Sequence, residues 1–229
     1  EGKLILVSNR LRKRLLALNL GSHEEYYRFL TECPAGEDAL QRFIDAVSTN
    51  ETYFYREFNH LLVIRDRILP QLLPRTDSLR IWSAGCSTGE EPYTIKIALE
   101  QFLPSSWKGR VEITATDINQ EVVQRAQEGI YRERSLRLVP PAVLAGCFRA
   151  LGDGAHQVGD AVKEGIRFRV HNLLAEDPPG SAFHFIFCRN VMIYFNKNTQ
   201  KRLVDGCFAG ALHPEGYLFI GHSESLSGT

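Results

Sequence analysis

An α/β fold with a doubly wound, mostly parallel sheet, preceded by a small all-α N-terminal domain, is predicted by three features of this 229-residue sequence. Before Leu79 apolar residues recur only at helical spacing. After it, apolar runs of strand length alternate with helix-length segments. Such alternation implies crossovers through helices, and so parallel strands covered on both faces. A glycine-bearing turn follows the first of these runs and an acidic residue ends the second, the place where open α/β sheets bind ligands.

Residues 1–48 read as the helical domain. Leu11, Leu15 and Leu18 share one helical face, with Arg10, Arg12, Lys13 and Arg14 around it. Gly21-Ser22 stops that helix, and Ser22 can cap the next, His23 to Cys33, whose first turn carries Glu24 and Glu25. Pro34-Ala35-Gly36 interrupts again before a helix from Glu37 to Val47. Residues 49–78 read as a linker followed by a helix from Arg56 to Leu73, closed by Pro74.

Residues 79–229 then form the Rossmann-like domain. Leu79 to Trp82 is a strand, Ser83 to Gly89 a turn and Glu90 to Phe102 a helix. Val111 to Thr116 is the second strand, and Asn119 caps a helix ending at Glu128. Phe183 to Phe187, a helix from Asn198 to Ala211, and Tyr217 to Ile220 complete the alternation. Gln157 to Val170 has strand-like alternation without a crossover helix, which predicts a small antiparallel β excursion, a subdomain of about residues 147–171.

Composition narrows the classes. Lys+Arg and Asp+Glu are 27 each, so the chain lacks the basic excess of a general nucleic-acid binder. Five cysteines are odd in number and never spaced as CxxC, which argues against a disulfide framework and for a reducing, cytoplasmic setting. No apolar run reaches the roughly 18 residues of a membrane span. The seven histidines do not cluster along the chain, and no metal site is predicted.

The turn Trp82-Ser83-Ala84-Gly85-Cys86-Ser87-Thr88-Gly89-Glu90-Glu91 matches neither the dinucleotide GxGxxG nor the P-loop pattern. Gly85 lets a ligand approach the backbone. Glu90 and Glu91 by themselves only favour the helix dipole, yet they would repel a pyrophosphate and suit a ligand with hydroxyls or positive charge. Asp117, at the end of the second strand, can accept hydrogen bonds from both hydroxyls of a ribose. Adenosine without phosphates, joined to a cationic group, is what this pair of features fits, and S-adenosylmethionine answers that description.

Thr49-Asn50-Glu51-Thr52-Tyr53-Phe54-Tyr55-Arg56-Glu57 resembles a signature of the CheR-type chemotaxis receptor methyltransferases, the protein-glutamate O-methyltransferases. Ser83 to Tyr93, Thr116 to Asn119, Asn172-Leu173-Leu174, Cys188 to Phe195 and Gly221-His222-Ser223-Glu224-Ser225 resemble the same family, in the same order, over nearly the whole chain. The resemblance implies that Asn50 and Thr52 lie near the methionine end of the cofactor and that Glu90 helps to fix it. It further implies Asp117 on the ribose, Asn172 and Leu173 bordering the adenine, and Arg189 and Asn190 close to the sulfonium. Arg56 and Tyr194 would face the incoming carboxylate. Of Tyr53, Phe54 and Tyr55, at least two are expected in the core, as are Ile193 and Phe195.

The activity so implied is methyl transfer to chemoreceptor glutamates, with S-adenosylhomocysteine as product. In the family a basic helical domain meets the acidic helical region of the receptor, which would make Arg10, Arg12, Lys13 and Arg14 a docking face, although a charge run is ordinarily a solvated one. The β excursion corresponds to the part that binds a receptor tether peptide in some members. No nucleic-acid partner and no membrane insertion are expected. Two rivals remain: a methyltransferase of another protein, a small molecule or RNA, and a non-catalytic scaffold that keeps the pocket. Asp177-Pro178-Pro179-Gly180 resembles an amino-methyltransferase loop but precedes a strand and lacks the terminal aromatic, so it reads as a turn. The family's closing strands lie beyond Gly221–Ser225, and with Thr229 last a piece of a longer protein is expected.

Overall fold

The computed structural model describes residues 2–32 and 36–226. Three helices, α1 (Gly2–Ala17), α2 (His23–Glu32) and α3 (Gly36–Val47), pack around Leu11, Leu15 and Tyr26, with Phe29 and Phe43 against them. The expected cap is present. Ser22 Oγ accepts the Glu25 amide at 3.1 Å, while a Glu25 carboxylate oxygen accepts the Gly21 amide at 2.7 Å, a reciprocal arrangement close to a capping box. Cys33 and the Pro34-Ala35 part of the break lie outside the described residues.

The helix expected from Arg56 begins instead at Asn59. Tyr55 (φ 64°) and Glu57 (φ 50°) are left-handed, which no continuous right-handed helix accommodates. From Asn59–Val63 the helix widens into a π-turn over Ile64–Ile68, resumes at Leu69–Leu72 and tightens to a 3₁₀ turn at Leu73–Arg75. Pro70 explains the widening. Its ring collides with the carbonyl four residues back and it has no N–H to donate, so the Leu69 amide reaches Ile64 O instead.

The strands are β1 (Leu79–Ala84), β2 (Val111–Asp117), β3 (Ile130–Tyr131), β4 (Phe148–Gly152), β5 (Ala155–Val158), β6 (Ile166–Val170), β7 (Phe183–Cys188) and β8 (Leu212–Ile220). A five-stranded sheet has the order β6-β2-β1-β7-β8, and every pairing in it is parallel. β3, β5 and β4 form a separate antiparallel sheet. The excursion therefore spans residues 130–158 and not 147–171, because Ile166–Val170 pairs with β2 as the outer strand of the main sheet. Its alternation arises from that edge position, where one face stays in water.

β7 is buried at all six positions and β1 at all but Arg80, as a parallel strand covered on both faces requires. Leu79, Ile81, Phe185 and Phe187 fill one side of the sheet with Ile64, Leu69, Ile95 and Leu99 from the helices. Trp82 and Ile186 fill the other with Met192, Leu203 and Phe208. No helix among the described residues is long and apolar enough to cross a membrane. Phe185 is fully buried and its ring lies 6.1 Å from Phe219. Phe185→Ala should cost about 3–5 kcal/mol in urea denaturation, and a loss below about 1 kcal/mol would contradict this account of the core.

Candidate active site

A cavity of about 430 Å³ opens at the carboxyl ends of β1, β2, β6 and β7, a size typical of small-ligand sites. It lies where the chain order reverses, β1 having β2 on one side and β7 on the other. The segment 47–52 that leaves the N-terminal domain forms part of its wall. That segment is fixed from below. Asp45 at the end of α3 accepts the Gln120 amide at 2.9 Å, and Gln41 donates to Ile118 O at 2.8 Å.

Gly85 after β1 has φ 92°, and a Cβ there would collide with Val191 Cγ2, so glycine is required by both torsion and space. The amides of Gly85 and Cys86 both donate to Thr116 O at 2.8 Å, tying this turn to the end of β2. Next comes Ser87, left-handed at φ 50°, whose amide donates to Asp117 Oδ2 at 2.8 Å. The Asn119 amide donates to Asp117 Oδ1 at 3.0 Å. The carboxylate is thereby held rigidly, and each oxygen retains a lone pair toward the cavity. Burial pushes its pKa up, against the pull of these amides.

Asn50, Thr52, Arg56, Gly85 and Asp117 all line the cavity, as do Asn172, Leu173, Arg189, Asn190 and Tyr194. Glu90 does not. It is turned away, 2% exposed, and accepts from Thr88 Oγ1 at 2.6 Å and Ser135 Oγ at 2.9 Å; burial raises its pKa. Glu91 faces the cavity in its place. Adjacent residues of a helix point about 100° apart, so only one of the pair can look inward. Ser83 donates to Glu91 Oε1 at 2.6 Å, and Arg189 Nε donates to Oε2 at 2.6 Å. The same guanidinium donates to the Arg56 carbonyl at 2.8 Å.

Arg56 donates to the Glu51 carbonyl at 2.7 Å, and its guanidinium carbon lies 5.8 Å from the Tyr53 ring centroid. Phe54 is fully buried, edge-on to Tyr131 (4.8 Å) and Phe148 (5.3 Å); Tyr55 packs half-buried against the same cluster, so of the three aromatics Phe54 alone is buried in the core. Ile193 is not; it is 46% exposed, because the 3₁₀ turn Met192–Tyr194 buries Met192 and leaves its neighbours outward. Phe195 is half-buried against the core. Asn172 Oδ1 accepts the Leu174 amide at 3.0 Å, and Tyr194 is exposed at the cavity rim.

Glu224 was not given a role from sequence, although it lies in a recognised motif. Its carboxylate accepts the amides of Gly221 (2.6 Å), Asn190 (2.9 Å) and Ile193 (3.2 Å), and so fixes the loop after β7, where Asn190 has φ 61°. Gly221 is needed for this approach: a Cβ there would stand 2.7 Å from Asn190 Nδ2. Two of the seven histidines, far apart in sequence, meet at Glu57: His60 and His222.

The basic face divides. Arg12 and Lys13 are exposed and Arg14 is half-buried. Arg10 is not a free docking residue, since its Nη1 donates to Val47 O (2.6 Å), Ser48 O (2.8 Å) and Thr49 Oγ1 (3.2 Å). It satisfies carbonyls that the end of α3 leaves without helical donors, and it anchors the cavity wall.

The buried thiols of Cys86 and Cys188 are pushed well above their ordinary pKa by burial, so neither is a nucleophile at neutral pH. What remains is a pocket with a carboxylate fixed by two backbone amides, a neutralised Arg–Glu pair and an accessible rim.

Residues 50–229 match the family described as "CheR methyltransferase, SAM binding domain", and residues 1–48 that described as "CheR methyltransferase, all-alpha domain". A chemotaxis protein methyltransferase of Borreliella burgdorferi is 39% identical over 100% of this chain and 82% of its own length. A probable chemotaxis protein methyltransferase of Rhizobium etli is 40% identical over 100% of this chain and 87% of its own. Chemotaxis protein methyltransferase 2 of Pseudomonas aeruginosa is 42% identical over 99% of this chain and 80% of its own.

Glu224→Ala would leave three backbone amides without their acceptor. A loss of about 1–3 kcal/mol in denaturant stability is expected, together with weaker uptake of cavity ligands. Unchanged stability and uptake would show that the loop after β7 stands without this carboxylate.

Proposed function

The chain belongs to the CheR methyltransferase family, and we propose that it methylates glutamate side chains of chemoreceptors to give glutamate methyl esters. The observation that carries this reading is the Asp117 carboxylate. Two backbone amides fix it at the end of β2, and the amides of Gly85, Cys86 and Ser87 in the turn after β1 are already committed to Thr116 O and Asp117, leaving none of the three for a phosphate. A neutral nucleoside with a cationic arm fits these donors and acceptors.

Asp117 holds the ribose hydroxyls, and Asn172 and Leu173 border the adenine. Asn50, Thr52 and Glu91 hold the amino-acid arm, with Arg189 and Asn190 beside them. S-adenosylmethionine supplies an electrophilic methyl group on a sulfonium and leaves as S-adenosylhomocysteine. A glutamate side chain ordinarily titrates near ~4.3, so the acceptor arrives ionised and needs no general base. The protein's part is alignment and exclusion of water, which can remove roughly 7–11 kcal/mol of barrier. Arg56 and Tyr194 do this at the rim. Arg56 has one nitrogen committed to the Glu51 carbonyl, so it orients the acceptor without the two-pronged clamp that would quench it.

The partner is the acidic cytoplasmic helical region of a receptor, met by the exposed Arg12 and Lys13. A receptor tether peptide would add to the free edge of β4, the outer strand of the small sheet.

Purified protein with labelled cofactor and chemoreceptor membranes should place base-labile methyl groups on the receptor; cofactor uptake without such transfer to any receptor would overturn the reading. Asp117→Ala should abolish calorimetric binding of S-adenosylhomocysteine. In the unsubstituted protein that binding should fall on acidification at a pH above the ordinary aspartate value of 3.8, because burial makes Asp117 take up its proton early. Reversing charge at Arg12 and Lys13 together should slow receptor methylation, more at low ionic strength, and leave S-adenosylhomocysteine binding intact. Equal loss of both would refute the docking role.

A further inference from the structure

Among the described residues one group of three metal-ligating side chains converges, and the proposed methyl transfer uses none of it as a ligand set. Glu57 comes from the turn before the helix at Asn59, His60 from its first turn, and His222 from the loop after β8. One atom from each lies within 4.8 Å of the others. Glu57 Oε2 is 3.4 Å from His222 Nδ1 and 3.9 Å from His60 Nδ1.

Those separations are instructive. Ligands about 2.0–2.1 Å from a tetrahedral ion stand roughly 3.3–3.5 Å from one another, so two edges are at or near the required length. The atoms do not hydrogen-bond one another: both Glu57 Oε2 and His60 Nδ1 are buried without any hydrogen-bond partner. Buried polar atoms left in this state are uncommon, and a network made only for stability would have paired them. Backbone torsion also aims the carboxylate, since Glu57 is left-handed at φ 50°. Around the group, the His60 ring lies tilted at 5.6 Å from Phe219 and edge-on at 5.7 Å from His222.

Charge permits a cation. Arg189 Nη1 lies 3.8 Å from Glu57 Oε2, but Glu91 engages the same guanidinium at 2.6 Å, so two carboxylates face one positive charge. His222 has a side chain 64% exposed, which gives an ion a path in and leaves a coordination position open to water. Two imidazoles and one carboxylate with an open position form the donor set of zinc and its neighbours, not of magnesium or calcium.

We propose that Glu57, His60 and His222 form a binding site for a divalent transition-metal ion of the zinc class. It stands beside Arg189, the cavity-lining guanidinium that also meets Glu91. Capture of the ion draws Glu57 away from Arg189 and couples metal occupancy to a residue that lines the cavity.

The test uses the full chain freed of metal with EDTA. Calorimetric titration with Zn²⁺ should show one saturable ion per chain, and Co²⁺ should give the visible absorption of a low-coordinate nitrogen and oxygen site. His60→Ala and His222→Ala should each weaken Zn²⁺ by more than the roughly 10–100-fold that loss of an outer-shell partner costs. His213→Ala, which breaks the other close histidine pair, stacked on His184 at 5.0 Å, should change nothing. Because His222 is so exposed, its variant should keep the melting temperature of the parent, which separates ligand loss from misfolding. Absence of saturable binding, or binding that survives His222→Ala, would overturn the site. Neither result bears on whether the protein transfers methyl groups.

Discussion

A guanidinium with only 8% of its side chain exposed ties the three parts of the cavity together. Arg189 follows β7; its Nε meets Glu91 on the helix after β1, and its Nη1 meets the carbonyl of Arg56 in the segment from the N-terminal domain. A buried ion pair is weak evidence of net stability, because desolvating both charges offsets much of their attraction. Removing one partner is another matter, since the other charge is then stranded, at a cost of about 3–5 kcal/mol. The pair therefore acts as a constraint on geometry, and it holds the backbone at Arg56 to the loop after β7 and the helix after β1.

Around that constraint, backbone strain is concentrated. Tyr55, Glu57, Ser87 and Asn190 are left-handed without being glycine, each at a cost of about 1–3 kcal/mol that surrounding contacts must offset. The contacts are visible. Thr94 Oγ1 accepts the Tyr55 amide at 3.2 Å, Asp117 accepts that of Ser87, and Glu224 accepts that of Asn190. Side chains that fix strained turns are thus interleaved with those that face the cavity. Asp117 serves both purposes, and its raised pKa is the electrostatic consequence of its burial.

Much of the architecture is legible in the amino-acid sequence. Strands buried on both faces leave continuous apolar runs such as Phe183–Phe187, and Asn119 announced its helix by the cap it provides, accepting the Val122 amide at 3.0 Å. The exceptions have separate causes. The stretch Tyr53–Phe58 has helical composition but carries left-handed residues, and torsion of that kind is imposed by partners distant in sequence. Ile166–Val170 alternates like an antiparallel strand because it lies at the rim of a parallel sheet. Ile193 looks apolar enough for the core, yet the phase of a three-residue turn leaves it in water.

Local chemistry therefore determined the order of helices and strands, the glycine turn at Gly85, the acid at the end of β2 and the family to which these motifs belong. Each of those depends on neighbours a few residues away, whose effects a sequence carries directly. The tertiary structure alone decided that Glu91 and not Glu90 faces the cavity, that Arg10 holds the end of α3 rather than waiting for a partner, and that His60 and His222 stand over Glu57. The phase of a helix after a left-handed residue, and the meeting of side chains more than a hundred positions apart, are set by packing across the sheet. No local pattern encodes them.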